Sequence, residues 1–205
     1  NLAPVCDLSD NPDDYIYDRS AAGDPQTAQE IISTIVERFQ KDNMGCTLKH
    51  FPGYGANLDT HTGISVDSRD MEQFTSADFL PFEAGIEAGA EAVMMSHNIV
   101  TCIDGDLPVS LSPSAHELLR EELGFTGVII TDDLAMEALA QYAGDRGALA
   151  VMAVKAGNDL ICTDTYEEEI PAVIEAVKNG EISENQINAS VLRVLEMKLK
   201  LGITE

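Results

Sequence analysis

Tryptophan is absent from this chain, and aromatic residues make up only 5% of it. That leaves little from which to build a stacking platform for nucleobases. Cations are scarce. Twelve Lys and Arg face thirty-six Asp and Glu, for a formal charge of −24. A surface of that sign repels phosphate backbones and anionic lipid, so neither nucleic acid nor membrane is expected as a partner, and neutral or cationic substrates fit better. No apolar run approaches the length that spans a bilayer. The four cysteines, Cys6, Cys46, Cys102 and Cys162, form no CxxC, and their spacing suits no zinc ribbon. Buried reduced thiols are the expectation for them. There is no HxH or HExxH to hold a metal, and no GxGxxG or Walker A to cradle phosphate.

What is present is an α/β rhythm. Strand-like apolar runs at residues 1–7, 44–51, 90–97, 127–132 and 158–163 alternate with helical patterns. The helical patterns cover residues 25–41, 77–88, 113–124, 134–142, 146–156, 167–178 and 184–201. Asp24 before Pro25 marks one helix start, and Ser183 with Gln186 forms a capping box at another. Alternation of this kind implies parallel βαβ units. The runs end in chemistry: Asp7, Lys49-His50, Ser96-His97, Thr131-Asp132-Asp133 and Thr163-Asp164. Polar residues at the carboxyl end of every strand favour a (β/α)8 barrel of the TIM type over a doubly wound sheet, where ligands gather at one switch point. Residues 1–205 then read as the C-terminal portion of a single barrel domain, with about the last five strands. Three further strands are expected upstream, in keeping with an opening residue, Asn1, inside a strand-like run.

Four places carry candidate chemistry. Lys49 and His50 end a strand and present two donors to a site, unless the lysine is a rim residue paired with an acid. Pro52-Gly53-Tyr54-Gly55 follows as a loop flexible at its two glycines. Asp59 and His61, two residues apart, suit a carboxylate that fixes an imidazole for proton transfer, or else two solvated loop residues. Asp132 sits at the tip of a buried strand, where amides of the next helix would keep it ionised and nucleophilic, with Asp133 as the N-cap of a helix over 134–142. Both acids could equally be caps. His97 either touches substrate or is a satisfied core histidine. Arg19 either reaches a substrate hydroxyl or neutralises Asp14 and Asp18.

Taken together, Lys49-His50-Phe51-Pro52-Gly53-Tyr54-Gly55, Asp59-Thr60-His61 and the stretch from Gly127 through Thr131-Asp132-Asp133-Leu134-Ala135-Met136 resemble the catalytic barrel of glycoside hydrolase family 3, in its β-N-acetylglucosaminidase branch. Residues 1–7 with Arg19-Ser20 and Asp24-Pro25, and Ser110-Leu111-Ser112 ahead of residues 121–125, are similar as well. The resemblance spans essentially the whole chain. It implies a retaining exo-glycosidase acting on terminal, non-reducing β-linked N-acetylglucosamine. Asp132 would be the nucleophile, His61 the acid/base, and Asp59 its partner. Lys49, His50, Arg19 and His97 would bind the sugar. No metal or cofactor is implied, and the expected partner is carbohydrate. A β-glucosidase or β-xylosidase on the same scaffold, or a truncated sugar-binding fragment, are the alternatives. Two departures stand out. Tyr54 and a short spacer, Ala56-Asn57-Leu58, replace the His-containing loop common among relatives. The family's Asp-x-Glu-Gly-Gly-Arg segment is not in this chain and is assigned to the upstream strands. Those strands, or another copy, are expected to cover an otherwise open barrel edge.

Overall fold

The computed structural model of the protein describes residues 3–61 and 63–203. Four strands form a parallel sheet in the order β1 (Thr47–Phe51), β3 (Ala92–Met95), β5 (Val128–Asp133), β6 (Leu160–Cys162). Two short strands, β2 (Val66–Asp67) and β4 (Ile99–Val100), pair in parallel beside it. Helices α1 (Pro25–Lys41), α2 and α3 (Met71–Gln73 and Phe79–Glu87), α4 (Pro113–Glu117), α5 (Arg146–Ala156), α6 (Tyr166–Lys178) and α7 (Glu184–Lys200) supply the crossovers. Sequential neighbours in a parallel sheet, each joined through helix, give an arc of a (β/α) barrel, as the sequence pattern anticipates. Among the described residues no helix is long and apolar enough to cross a membrane.

The local reasons are visible in the caps. The Asp24 side chain accepts from the Thr27 amide, and Pro25 occupies the first turn of α1. Asp145 and Ser183 cap α5 and α7 in the same way. Gly85 lets α3 lie directly on β1 and α1: a Cβ there would sit 2.5 Å from Leu48 and 3.2 Å from Ile32. Phe51 stacks on Phe79 at 5.7 Å and meets Phe82 edge-on at 5.4 Å, closing the main core with Val93, Met95 and Ile129.

Three expectations need correction. The first strand is reduced to a single parallel bridge, Val5 with Lys49. Pro4 has no N–H to give, so only scattered ladder bonds form, such as Cys6 N–H to Lys49 O at 2.7 Å. Asn1 and Leu2 lie outside the described residues. The helix over 134–142 is not formed; one 3₁₀ turn, Glu137–Leu139, stands in its place. Its backbone donors go elsewhere: Leu134 to Cys162 O, Ala135 to the Asp133 carboxylate, and Ala138 to Thr60 O. Asp133 therefore makes a turn and caps no helix. Finally, the helix expected from residue 77 starts at Met71, under an Asp70–Gln73 capping box, and passes through a π-helical turn at Phe74–Asp78 before Pro81.

The two ends of the sheet differ. At the amino ends, Glu91 and Asp159 clamp distant elements. Asp159 takes Arg193 through both carboxylate oxygens, Arg120 at 2.8 Å, and the Ile129 amide. Glu91 takes Lys200, Gln40 and the Cys46 amide. These bonds fasten α7 under the strands, the role the amino face plays in barrels. Lys49, His50, Arg19 and Asp132 collect at the other end. Beside β6, Ile170, Ile174, Val191 and Leu195 line an apolar groove of about 530 Å³.

Candidate active site

Both strands that carry the candidate chemistry hold one extra residue at the decisive place. From Leu48 to Phe51 β1 advances three residues while β3 advances two, from Val93 to Met95. From Ile130 to Asp133 β5 advances three while β6 advances two. Bulges of this kind re-aim side chains near sites. They fall on Lys49-His50 and on Thr131-Asp132. The Lys49–His50 peptide bond is cis.

His50 is buried and held from behind by Asp7. One Asp7 carboxylate oxygen accepts from the His50 backbone amide at 3.0 Å and from its ring Nδ1–H at 2.8 Å. The other accepts from the Tyr54 amide at 2.8 Å. With Nδ1 so engaged, His50 turns Nε2 to the front, 3.4 Å from the Arg19 guanidinium and 3.9 Å from the Asp132 carboxylate. Arg19 thus faces His50. Asp14, its expected neutralising partner, is taken by Ser9 and Asn11. The Asp132 side chain is 20% exposed, open enough to meet a ligand, with Oδ1 accepting from the Asp133 amide at 2.9 Å. Lys49 is buried at the same end. Burial and the positive charge of Arg19 pull its ammonium below the ordinary lysine range, against the pull of Asp132 and Asp7.

His97 lies behind this front. Its Nδ1 meets Ser110 Oγ at 2.7 Å and its Nε2 meets Asp133 O at 3.0 Å, so both ring nitrogens are engaged by protein. Burial holds it below the ordinary histidine pKa. That is the arrangement of a satisfied core histidine bracing the backbone next to Asp132.

The Asp59–His61 loop arches over from β1. The His61 side chain is 58% exposed and that of Asp59 28%. Asp59 Oδ1 accepts from the His61 amide at 2.9 Å and from its Nδ1–H at 2.6 Å. Burial works to raise the Asp59 pKa, but the His61 donors outweigh it and hold the carboxyl below its usual range. The Tyr54 hydroxyl, which burial pushes up to about 12, pairs with Thr60 Oγ1 at 2.5 Å and accepts from the Thr60 amide. At the root of the loop, Arg69 grips Asp67, Asp78 and the Gly53 carbonyl. Asn57 bridges Tyr54 O and Asp67.

The structure therefore gathers Lys49, His50, Arg19 and Asp132 at one strand end, with Asp59 and His61 on the loop beside them. The sequence reading gave Asp7 only as the acid closing a strand-like run and Tyr54 and Thr60 only as motif members, and it did not single out Tyr15 or the Arg69 clamp. For Asp7 a signal existed, as a lone acid closing an apolar run. The others carry no local pattern that marks them. Among the described residues no cluster of three or more His, Cys, Asp or Glu is arranged to hold a metal ion.

Comparison with known proteins identifies the family. The family described as "Glycosyl hydrolase family 3 N terminal domain" matches residues 1–197. The chain belongs to glycoside hydrolase family 3. A β-hexosaminidase of Stenotrophomonas maltophilia strain K279a is 36% identical over 185 residues, which is 89% of this chain and 54% of the relative. The β-hexosaminidase of Xylella fastidiosa strain M12 is 39% identical over 153 residues, 73% of this chain and 44% of the relative. The chain thus spans about half the length of the curated relatives it matches. Among solved structures, a family 3 β-N-acetylglucosaminidase from Paenibacillus sp. str. FPU-7 superposes with a TM-score of 0.93 at 34% identity, over 99% of this chain and 40% of that one. A β-glucoside phosphorylase, BglX, gives 0.90 at 26% identity, over 98% and 39%. The bulges of β1 and β5 fall within the two strand ends, Lys49-His50 and Thr131-Asp132, on which the sequence resemblance rests.

Proposed function

We propose that this family 3 chain carries the catalytic face of a retaining β-N-acetylhexosaminidase. The observation that carries the reading is an unbroken run of contacts from loop to strand end. His61 Nδ1 is 3.4 Å from the Tyr15 hydroxyl, which is 3.4 Å from Arg19. Arg19 in turn reaches His50, and His50 reaches Asp132. This relay of contacts links the loop dyad to the strand-end carboxylate and supports the reading that they act on one substrate.

In the first step Asp132 attacks the anomeric carbon and the bond from that carbon to the leaving oxygen breaks. His61, protonated, gives its Nε2 proton to the departing oxygen; its Nδ1–H stays on Asp59, which steadies the imidazolium. A glycosyl ester on Asp132 results. In the second step neutral His61 takes a proton from water, the water oxygen bonds to the anomeric carbon, and the ester C–O bond breaks to return the Asp132 carboxylate. Two displacements on one carbon retain its configuration. Lys49, Arg19 and the Nε2 edge of His50 are the donors and acceptors that would orient sugar hydroxyls. His97 fixes the backbone behind Asp132. The names of the relatives, β-hexosaminidase and β-N-acetylglucosaminidase, support an N-acetylhexosamine over a glucoside or xyloside.

The test uses a full-length polypeptide containing this chain. A 5-fluoro N-acetylglucosaminyl probe is expected to label Asp132, located by peptide mass spectrometry, and Asp132→Ala to abolish both labelling and turnover. Label on any other carboxylate overturns the assignment. Faster hydrolysis of the matched β-glucoside than of the β-N-acetylglucosaminide overturns the specificity.

A further inference from the structure

His61 is more than half exposed and sits on a glycine-rich loop, so its own backbone does little to fix where the imidazole points. The fixed point comes from another part of the chain. Tyr15 stands on the segment that follows Asp7. That segment is rigid for clear reasons: Ile16 is fully buried, Ser9 and Asn11 both bond Asp14, and Ser20 Oγ joins the Ser9 amide to Asp7 O. The Tyr15 ring packs on Tyr54 at 5.7 Å and faces His61 at 6.5 Å. Its hydroxyl donates to Asp59, lies 3.4 Å from His61 Nδ1, and accepts from Arg19 at 3.4 Å.

We propose that Tyr15 is a positioning residue that latches the Asp59–His61 loop over Asp132 and ties that docked state to the sugar-binding Arg19. The inference rests on the assignment of His61 as acid/base. One hydroxyl serves both partners: it gives its proton to Asp59, completing the set of donors that keeps that carboxylate anionic, and offers its lone pair to the guanidinium. Burial and the neighbouring Asp59 charge push the phenol up from its ordinary pKa, so it stays a donor at neutral pH. Contacts of 3.4 Å are long, and two of them break at small cost. That suits a latch on a loop that must open to pass substrate and product.

The test is Tyr15→Phe, which keeps the ring against Tyr54 and removes only the hydroxyl. kcat/KM is measured in the full-length protein on two β-N-acetylglucosaminides. One has 4-methoxyphenol as leaving group, which needs protonation; the other has 2,4-dinitrophenol, which does not. The expected result is a loss of about tenfold on the first and less than about twofold on the second, since general acid catalysis contributes roughly 10²–10⁴-fold in all and a misplaced acid retains part of it. Melting temperature within about 2 °C of the parent, the scale of under 1 kcal/mol for a chain of this size, confirms an intact fold. An equal loss on both substrates, or none on either, overturns the latch. His61→Ala run in parallel separates the two levels. If it shows the same leaving-group dependence, more steeply, the acid/base assignment stands whatever Tyr15→Phe does. If it shows none, the assignment itself falls.

Discussion

Asp7 holds His50 at two points, its backbone amide at 3.0 Å and its ring Nδ1 at 2.8 Å, through a single carboxylate oxygen that is buried from solvent. The consequence is a fixed ring orientation. With Nδ1 turned to Asp7, Nε2 is the ring atom presented to Arg19 and Asp132. Asp7→Asn removes that constraint with little change in shape, because the amide can donate where the carboxylate could only accept. The expected outcome is a loss of about 10- to 100-fold in kcat/KM, the scale of a misoriented supporting group, with most of it in KM if His50 serves the sugar hydroxyls. Steady-state kinetics on an aryl β-N-acetylglucosaminide decide; a change within twofold would remove Asp7 from the site.

Arg69 and its two acids set the root of the Asp59–His61 loop, and the two acids are not equivalent. Burial raises both, but five Arg69 and Asn57 bonds bring Asp67 below the ordinary range while Asp78 stays above it. One Asp78 oxygen is buried without a hydrogen-bond partner. Arg69→Met leaves two buried carboxylates unpaired and is expected to cost about 3–5 kcal/mol, which corresponds to a melting temperature lower by roughly 6–20 °C in a chain of this size. Asp67→Asn should follow it closely. Asp78→Asn should cost less, because burial and the neighbouring acids already work against its charge. Thermal denaturation of the three variants at pH 7 tests the ranking, and equal losses for Asp67→Asn and Asp78→Asn would contradict it.

The helices were legible wherever a cap and a stripe agreed: Asp24-Pro25 ahead of α1, and Ser183 ahead of α7, stand where the sequence puts them. The strands were legible because buried parallel strands are continuous apolar runs. The stretch 134–142 misled because its apolar spacing satisfies a helix, while its amides bond to Cys162, Asp133 and Thr60, partners that only the tertiary structure brings near. Asp132, His61, Asp59, Lys49, His50 and Arg19 were readable as residue types at strand ends and in a loop. What holds them was not. Tyr15 lies forty-six positions from His61, in an acidic segment with no periodicity, and Asp7 forty-three positions from His50. A contact of that range leaves no local trace in one sequence.

His97 and His116 predict the acid side of the stability curve. Both are buried, and desolvation holds both below the ordinary histidine value of 6.5. A depressed pKa means the unfolded chain binds protons that the folded chain resists. Their contribution is therefore fully present above pH 6.5 and is lost as pH falls through that value toward their folded pKa. The melting temperature should be flat from about pH 8 to 7 and decline from pH 6.5 to 5, well before the depressed Asp59 and Asp67 titrate. His116→Gln, away from the active face, should make that decline shallower. A curve with equal slopes for parent and variant would show that other groups set it.

Gly53 places a stringent backbone requirement on the loop. Its φ of +124° is a region that residues with a side chain rarely adopt, and an added Cβ would lie 2.4 Å from the Asp78 carboxylate and 2.8 Å from its Cβ. Its amide donates to His50 O at 2.9 Å, and its carbonyl accepts from Arg69 at 3.0 Å. A methyl here must therefore move the clamp, the turn that follows His50, or both. Gly53→Ala is expected to lose about 2–4 kcal/mol of stability, as strain and overpacking add, and to lose activity beyond what the unfolded fraction explains. Gly105→Ala is the control, since a Cβ there meets nothing within 4 Å and its backbone is not in the positive-φ region. Activity per folded molecule, measured well below each melting temperature, separates the two effects. If Gly53→Ala retains parental activity per folded molecule, the turn does not set the geometry of His50.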